Sequence, residues 1–199
     1  MRITYDDIKH RLQPPLDCSE IKDLRGRYFY NRLITNYEHT DFSGCVLFHC
    51  YPSGILNSLE INPAQSEDDL TLKGANLEGA ILYKANLEGA DLTGANLTGA
   101  YLQYTDLTDA KLQGANLEDA DLGDATLERA NLQEANLERA DLRGANLYGA
   151  NLEGANLEDV NADRYVDFDE AKYNSKTNFK YSSITQGQRD SMIFVEDED

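Results

Sequence analysis

The chain has 199 residues, a formal net charge of −18 and an odd, sparse set of cysteines, Cys18, Cys45 and Cys50. This length is enough for one domain with a buried core, and the negative charge argues against nucleic acid or an anionic membrane surface as a direct partner. The cysteines do not suit a disulfide scaffold, so we expect a protein of the reducing cytoplasm.

The N-terminal part carries the first traces of a repeat. It has no apolar signal segment, and no run approaches 18 apolar residues, so we predict neither a signal peptide nor a transmembrane helix. A spacing of five residues links Leu24 with Phe29, and Leu47 stands in register with the repeat that follows. We expect residues 1–23 to form an N-terminal cap and residues 24–50 to form irregular first units.

The pattern fails over residues 51–69, where Pro52 and Pro63 interrupt it. Leu47 and Leu72 are nevertheless separated by a multiple of five residues. We interpret residues 51–69 mainly as a loop that leaves the repeat. An irregular rung is the alternative.

The regular repeat follows. Leucine recurs at every fifth residue from Leu72 to Leu157, and alanine stands two positions before it from Ala75 to Ala155, with Thr105 as the exception. The residue between them is usually Asn or Asp. Five residues turn an α-helix by about 500°, and residues five apart in a straight strand face opposite sides. Neither element would therefore bury these leucines together.

A chain that turns a corner after every five residues does bury them. Four such corners close a coil of about 20 residues, and stacked coils would lie about 4.8 Å apart, the spacing of hydrogen-bonded strands. Alanine and leucine would face inward and the other three residues outward. Gly, Asn and Asp would serve the turns.

This A(D/N)Lxx pattern resembles the motif of the pentapeptide repeat family, and its nearly pure leucine centres look like those of cyanobacterial members. The resemblance implies an all-β fold, a right-handed quadrilateral β-helix or solenoid, which we expect to be regular over residues 70–179. It also implies a protein without catalytic activity.

The motif returns at Val166–Phe168 and Ala171–Tyr173 one residue late, which indicates a single inserted residue near 161–165. An open coil end exposes core and strand edges, so we expect residues 180–199 to hold a C-terminal cap and an acidic tail. The apolar run Met192–Val195 would cover the coil end or form a dimer contact. The expected state is a monomer or a homodimer through the C-terminal segment.

No arrangement of residues indicates catalysis. His10, His39 and His49 are scattered, while Cys45 and Cys50 occupy inward positions and are expected to be core thiols. Their spacing is not a usual zinc spacing. The carboxylates occur in rows and not as a convergent pair with distinct environments. We therefore predict no enzyme, no metal and no cofactor.

Residues 20 apart should stack on one side of the coil. One side would carry an unbroken asparagine column: Asn76, Asn96, Asn116, Asn136 and Asn156. An acidic face would run beside it: Glu78, Glu118, Asp119, Glu138, Glu158 and Asp159. We interpret the asparagine column as structural, with hydrogen bonds along the stack. The acidic face would either keep the protein soluble or meet a basic partner.

Another side should carry a tyrosine patch, formed by Ile81, Tyr83, Tyr101 and Tyr104. These residues would cluster outside on a fold that otherwise keeps apolar groups inside. The patch would either be covered by the 51–69 segment or act as a binding surface of the tyrosine-rich kind.

Two functions follow from these features. The first is a non-catalytic structural or protein-interaction scaffold whose unknown protein partner has a basic surface. The alternative, implied by the resemblance to some family members, is a DNA mimic that binds a type II topoisomerase such as gyrase and inhibits or protects it. We favour the scaffold.

Overall fold

The computed structural model describes residues 28–30, 46–48 and 72–197. Strand β1 (Tyr28–Tyr30) pairs in parallel with strand β2 (Val46–Phe48), and Tyr28 lies opposite Val46. Fewer residues separate these two partners than separate bridged partners in the later repeat. The pair of β1 and β2 therefore does not follow the spacing of the repeat. The remainder of the segments predicted over 1–23, 24–50 and 51–69 lies outside the described residues.

The repeat folds into stacked coils, and each coil contains four of the five-residue units. Parallel β-bridges join equivalent residues of consecutive coils from Asn76↔Asn96 through Asp141↔Asn161, with one bridge column on each of four sides. Every alanine and leucine of the units between Ala75 and Leu157 is at most 2% exposed. No helix lies between residues 72 and 179. The predicted burial of these residues and the predicted absence of helix are therefore confirmed.

In the unit Ala135–Arg139, every backbone N–H group has a hydrogen-bond acceptor. The N–H group of the first residue donates to the carbonyl oxygen of the preceding leucine (3.0 Å), which closes a turn. The N–H group of the second residue donates to a carbonyl oxygen of the preceding coil (2.9 Å). The N–H groups of the third and fifth residues donate to the following coil (2.7 and 2.9 Å). The fourth, from Glu138, donates to Oδ1 of Asn136 at 3.2 Å. Where Asn or Asp stands before the leucine, its short side-chain acceptor thus satisfies the one N–H group that the stacking leaves without a partner.

The fifth residue of each unit turns the corner in the left-handed region, with φ from 54° at Asp159 to 71° at Gly144. Glycine adopts this conformation without a steric penalty, and short polar residues tolerate it better than bulky ones. The fold therefore favours Gly or Asp at this position.

Two inserted residues displace the final coils. The bridge Asn146↔Asp167 spans one residue more than the bridges before it, which confirms the insertion predicted near 161–165. The bridge Asn156↔Asn178 spans one residue more again, so a second insertion follows Lys172. This second insertion was not predicted from the sequence.

The C-terminal segment adds a last rung. Strand β3 (Lys172–Tyr173) pairs in parallel with β4 (Ile193–Phe194), and helix α1 (Gln186–Asp190) lies between them in the chain. Ile184 and Met192 are buried in the core, whereas both side chains of β4 are exposed. Within the described ranges, no helix is long and apolar enough to cross a membrane.

Candidate interaction surfaces

The asparagine column forms a ladder of side-chain hydrogen bonds. In each direct contact, the Nδ2 group of one asparagine donates to Oδ1 of the asparagine in the preceding coil. These contacts are Asn96 to Asn76 (3.1 Å), Asn136 to Asn116 (3.0 Å) and Asn156 to Asn136 (3.0 Å). Each Oδ1 atom also accepts the N–H group two residues later in its own unit. The column therefore ties turns and coils together.

One step of this ladder passes through a hydroxyl group. Thr98 donates to Oδ1 of Asn96 at 2.7 Å and accepts from Nδ2 of Asn116 at 2.8 Å. At the other end, Asn178 donates to Oδ1 of Asn156 at 2.8 Å, in spite of the two inserted residues. The ladder is thus continuous from Asn76 to Asn178.

The acidic face contains a cation that was not predicted from the sequence. Arg139 donates from Nε and Nη2 to the two carboxylate oxygens of Asp119 (2.8 and 3.0 Å) and also pairs with Glu118 and Glu138. The hydrogen bond from Arg139 holds the pKa of Asp119 below its usual value. The sequence carried the signal, because Asp119, Arg139 and Asp159 occupy the same corner position in consecutive coils.

A second cation lies at the end of the acidic face, where Lys180 Nζ is 3.4 Å from a carboxylate oxygen of Glu158. Together with Arg139, it neutralises part of the acidic face. The face is therefore less negative than its carboxylates alone indicate.

The same arginine clamp recurs on the opposite side of the coil. Arg129 donates to both oxygens of Asp109 (2.8 and 2.9 Å) one coil earlier and also pairs with Glu128. This contact lowers the pKa of Asp109. Bidentate contacts of this kind have a defined geometry, so they fix the relative position of consecutive coils.

The structure brings the predicted tyrosine patch together. Ile81 and Tyr101 form a bridge in consecutive coils, and the rings of Tyr83 and Tyr104 meet edge to face with centroids 5.6 Å apart. Tyr101 and Tyr104 are 50% and 52% exposed, while Ile81 and Tyr83 are partly buried. All four side chains therefore lie on one side of adjacent coils.

Two charged residues complete the surroundings of the tyrosine patch. Lys84 Nζ lies 5.3 Å from the ring centroid of Tyr83 and 5.7 Å from that of Tyr104, in cation–π geometry. A hydrogen bond to the carboxylate of Asp124 raises the pKa of the Tyr104 hydroxyl. Neither residue was predicted from the sequence to be part of the patch.

The tyrosine patch has unusual residue types at two positions of the five-residue unit. Ile81 and Tyr101 occupy the position that Asn or Asp uses to accept the fourth N–H group of the unit, and neither side chain can accept it in that way. Lys84 and Tyr104 occupy the left-handed corner with φ of 57° and 58°. Arg129, Glu134 and Arg139 occupy the same corner elsewhere in the coil, so the patch is distinguished by its exposed rings and not by its backbone conformation.

Within the described ranges, no group of three or more His, Cys, Asp or Glu side chains is placed to hold a metal ion. The three histidines and the three cysteines lie outside those ranges. The expectation about core thiols at Cys45 and Cys50 therefore stays a prediction.

The stacked coils of four five-residue units define a β-solenoid repeat protein. Residues 70–159 match the family model for pentapeptide repeats in 8 copies. Residues 70–159 are therefore pentapeptide repeats, and the fold of such repeats is the right-handed quadrilateral β-helix. No curated protein matches the chain.

Several solved pentapeptide repeat structures are similar to the chain. Rfr23 from the cyanobacterium Cyanothece 51142 is 27% identical, over 81% of this chain and 93% of that one, with a TM-score of 0.42. HetL from Nostoc sp. strain PCC 7120, involved in heterocyst differentiation regulation, is 25% identical over 81% and 84%, with a TM-score of 0.32. QnrB1, a plasmid-mediated fluoroquinolone resistance protein, is 16% identical over 88% and 90%, with a TM-score of 0.39.

Proposed function

We propose that this protein is a non-catalytic scaffold that binds another protein through the outer sides of its β-helix. Pentapeptide repeat proteins are generally non-catalytic scaffolds. The observation that carries the proposal is the tyrosine patch, where exposed rings replace the residues that the turns prefer. Aromatic residues of this kind are enriched at protein interfaces.

The rest of the coil suits this role because it presents the patch on a rigid support. The asparagine column and the clamps of Arg129 and Arg139 connect consecutive coils through side chains, in addition to the backbone ladder. A surface that is ordered before binding loses less conformational entropy when the partner arrives.

The charge of the chain suits a partner protein with a basic surface, and we place the interaction in the cytoplasm without direct contact to nucleic acid or membrane. The acting form would be a monomer or a homodimer through the C-terminal segment. The exposed side chains of β4, Ile193 and Phe194, support the second form.

Site-specific photo-crosslinking in the native organism tests the scaffold. A photoreactive amino acid is placed at one outward position on each side of the coil: Thr93, Glu78, Ile81 and Thr108. We expect an adduct of discrete mass from one side, with the other three sides as matched controls. The absence of a discrete adduct from all four positions would contradict the scaffold function.

The alternative function is DNA mimicry directed at gyrase. The net charge of −18 and the carboxylates of the acidic face favour it. Arg139 and Lys180 oppose it, because they neutralise part of the acidic face. Five rungs span about 19 Å at about 4.8 Å per coil, whereas the phosphates of one DNA strand advance about 3.4 Å, so the carboxylates do not copy phosphates one for one. Mimicry would have to come from the overall field of the rod.

A further inference from the structure

One corner column places a cation, a ring and a carboxylate in consecutive coils. Lys84 Nζ lies 5.7 Å from the ring centroid of Tyr104, and Asp124 occupies the same corner position in the coil after Tyr104. The protein therefore already contains one example of a cation over a tyrosine ring with an acid in the next coil.

The adjacent column also contains a tyrosine ring and a carboxylate, but its first residue is not a cation. Tyr101 bridges to Ile81 in the coil before it and to Asp121 in the coil after it. Half of the Tyr101 surface is exposed, and within the described ranges no cationic group lies over its ring. Asp121 accepts hydrogen bonds from the N–H group of Gly123 (3.1 Å) and from the Gln103 amide, which fix its carboxylate in place.

We propose that Tyr101 and Tyr104, with Asp121 and Asp124 in the next coil, bind an arginine side chain from a basic segment of the partner protein. This assignment rests on the proposed scaffold function and names the chemistry of its partner. The arginine supplies to Tyr101 the cation that Lys84 supplies to Tyr104.

The geometry favours arginine over lysine. A guanidinium group is planar, so it stacks on an exposed ring while the edge of its fork remains available to a carboxylate. Both partners are present here, since the rings of the patch lie one coil away from two carboxylates. The outer wall of a coil does not enclose a small molecule, so free arginine would lack the burial that tight binding of small ligands requires.

A peptide binding experiment tests the assignment. The probe is a fluorescent 12-residue peptide of alternating Arg and Ser, compared with the same peptide carrying uncharged citrulline. The variant Tyr101→Leu keeps an apolar side chain and every charge of the protein, so it removes the aromatic ring with its hydroxyl group and leaves the charge unchanged. We expect it to bind the arginine peptide about threefold to tenfold more weakly in fluorescence anisotropy, and to bind the citrulline peptide as the parent does.

The matched control is Tyr165→Leu, which removes an exposed ring from another part of the rod without changing its charge. We expect parental affinity from this control. Unfolding midpoints of both variants establish that the coil is intact. Equal affinity of Tyr101→Leu and the parent, an equal loss in both variants, or no binding of the arginine peptide by the parent would overturn the assignment.

The crosslinking pattern separates this assignment from the scaffold function. An adduct from Ile81 alone supports both. An adduct from Thr93, Glu78 or Thr108 alone leaves the scaffold in place and overturns the arginine site. No discrete adduct from any position contradicts the scaffold itself, whatever the peptide measurements give.

Discussion

The hydroxyl group of Thr105 donates a hydrogen bond to the carbonyl oxygen of Leu82 in the preceding coil, at 2.7 Å. Thr105 is fully buried and interrupts the inward column of alanines. Thr177 repeats the arrangement near the C-terminal end, with its hydroxyl 2.9 Å from the carbonyl oxygen of Leu152. A hydroxyl group is thus accepted in this core where a carbonyl oxygen of the neighbouring coil satisfies it.

The first prediction follows from that bond. Replacing Thr105 by Val keeps the shape but removes the donor, so we expect the free energy of unfolding to fall by about 0.5–1.5 kcal/mol. Urea unfolding measures it, with the outward Thr108→Val as a control that should stay within about 0.5 kcal/mol of the parent. A Thr105→Val variant more stable than the parent would contradict the assigned role of the hydroxyl group.

A second prediction concerns the leucine core. Leu117 is 0% exposed, so we expect Leu117→Ala to lower the free energy of unfolding by about 2–5 kcal/mol. Leu117→Asp should lower it further, because it also buries a charge. Gln113→Ala, in the preceding unit but on the outside, is the control. Equal midpoints for Leu117→Ala and the control would show that this leucine is not in the core.

The period of five predicted much of the fold, because most units carry the same inward pair and the same turn acceptor. Burial of Leu117 or Ala135 follows from spacing alone. The second insertion did not follow, since Asn174–Thr177 carries no leucine centre to mark the lost register. Asn174 instead contributes its own Oδ1, which accepts the N–H group of Gly154 at 2.9 Å.

The surfaces were predictable in position but not in their contacts. Stacking of consecutive coils placed Tyr83 and Tyr104 together, yet the position of Lys84 over both rings depends on its rotamer and could not be inferred from spacing. The clamp of Arg139 on Asp119 was within reach of the sequence, because the two residues share a corner column. It was missed because the acids were grouped without regard to the cations that stack between them.

A third prediction separates the asparagine column from the turns. Asn136 makes both the turn contact and the ladder contacts, whereas Asn131 on the neighbouring side accepts the N–H group of Gln133 (3.1 Å) as its turn contact. We expect Asn136→Ala to be destabilised by about 1–3 kcal/mol more than Asn131→Ala, because it also loses two hydrogen bonds between coils. Chemical denaturation of both variants measures the difference, and equal losses would assign the column a local role only.

A fourth prediction concerns pH. The pKa of Asp119 is lowered in the folded protein, so its pairing with Arg139 stabilises the fold above the unfolded pKa of about 3.9 and is lost as pH falls through the folded value. In Arg139→Gln, we expect the pKa of Asp119 to rise towards its usual value in an NMR titration of the carboxyl carbons. The difference in free energy of unfolding between Arg139→Gln and the parent should vanish at low pH, where Asp119 is protonated.

Asp109 serves as the internal control for that titration. Its pKa is lowered by Arg129, on a different side of the coil, so it should keep its low value in Arg139→Gln. A simultaneous rise for Asp109 and Asp119 would indicate a general change of the fold and not the loss of one clamp.

The fifth prediction concerns gyrase. We expect the parent to have no effect on supercoiling by gyrase at low or moderate salt, even at concentrations well above that of gyrase. The scaffold function does not require an effect on this enzyme. Inhibition or quinolone protection that disappears when Glu118, Glu138 and Glu158 are all changed to Gln would favour DNA mimicry instead. Such an effect should also weaken steeply with salt, since it would depend on the field of exposed charges.

The core of this protein repeats with every unit, but its surface repeats only with every coil of four units. Loss or gain of one unit would keep alanine and leucine inside, yet it would rotate every later side chain by a quarter turn around the rod. Asn136 would then leave its column, and Arg139 would no longer face Asp119. Only a whole coil of four units can be added or removed without changing which side chains share a side of the rod. A length change by a single unit therefore changes the composition of each outer side, while the buried core that stabilises the rod is largely preserved.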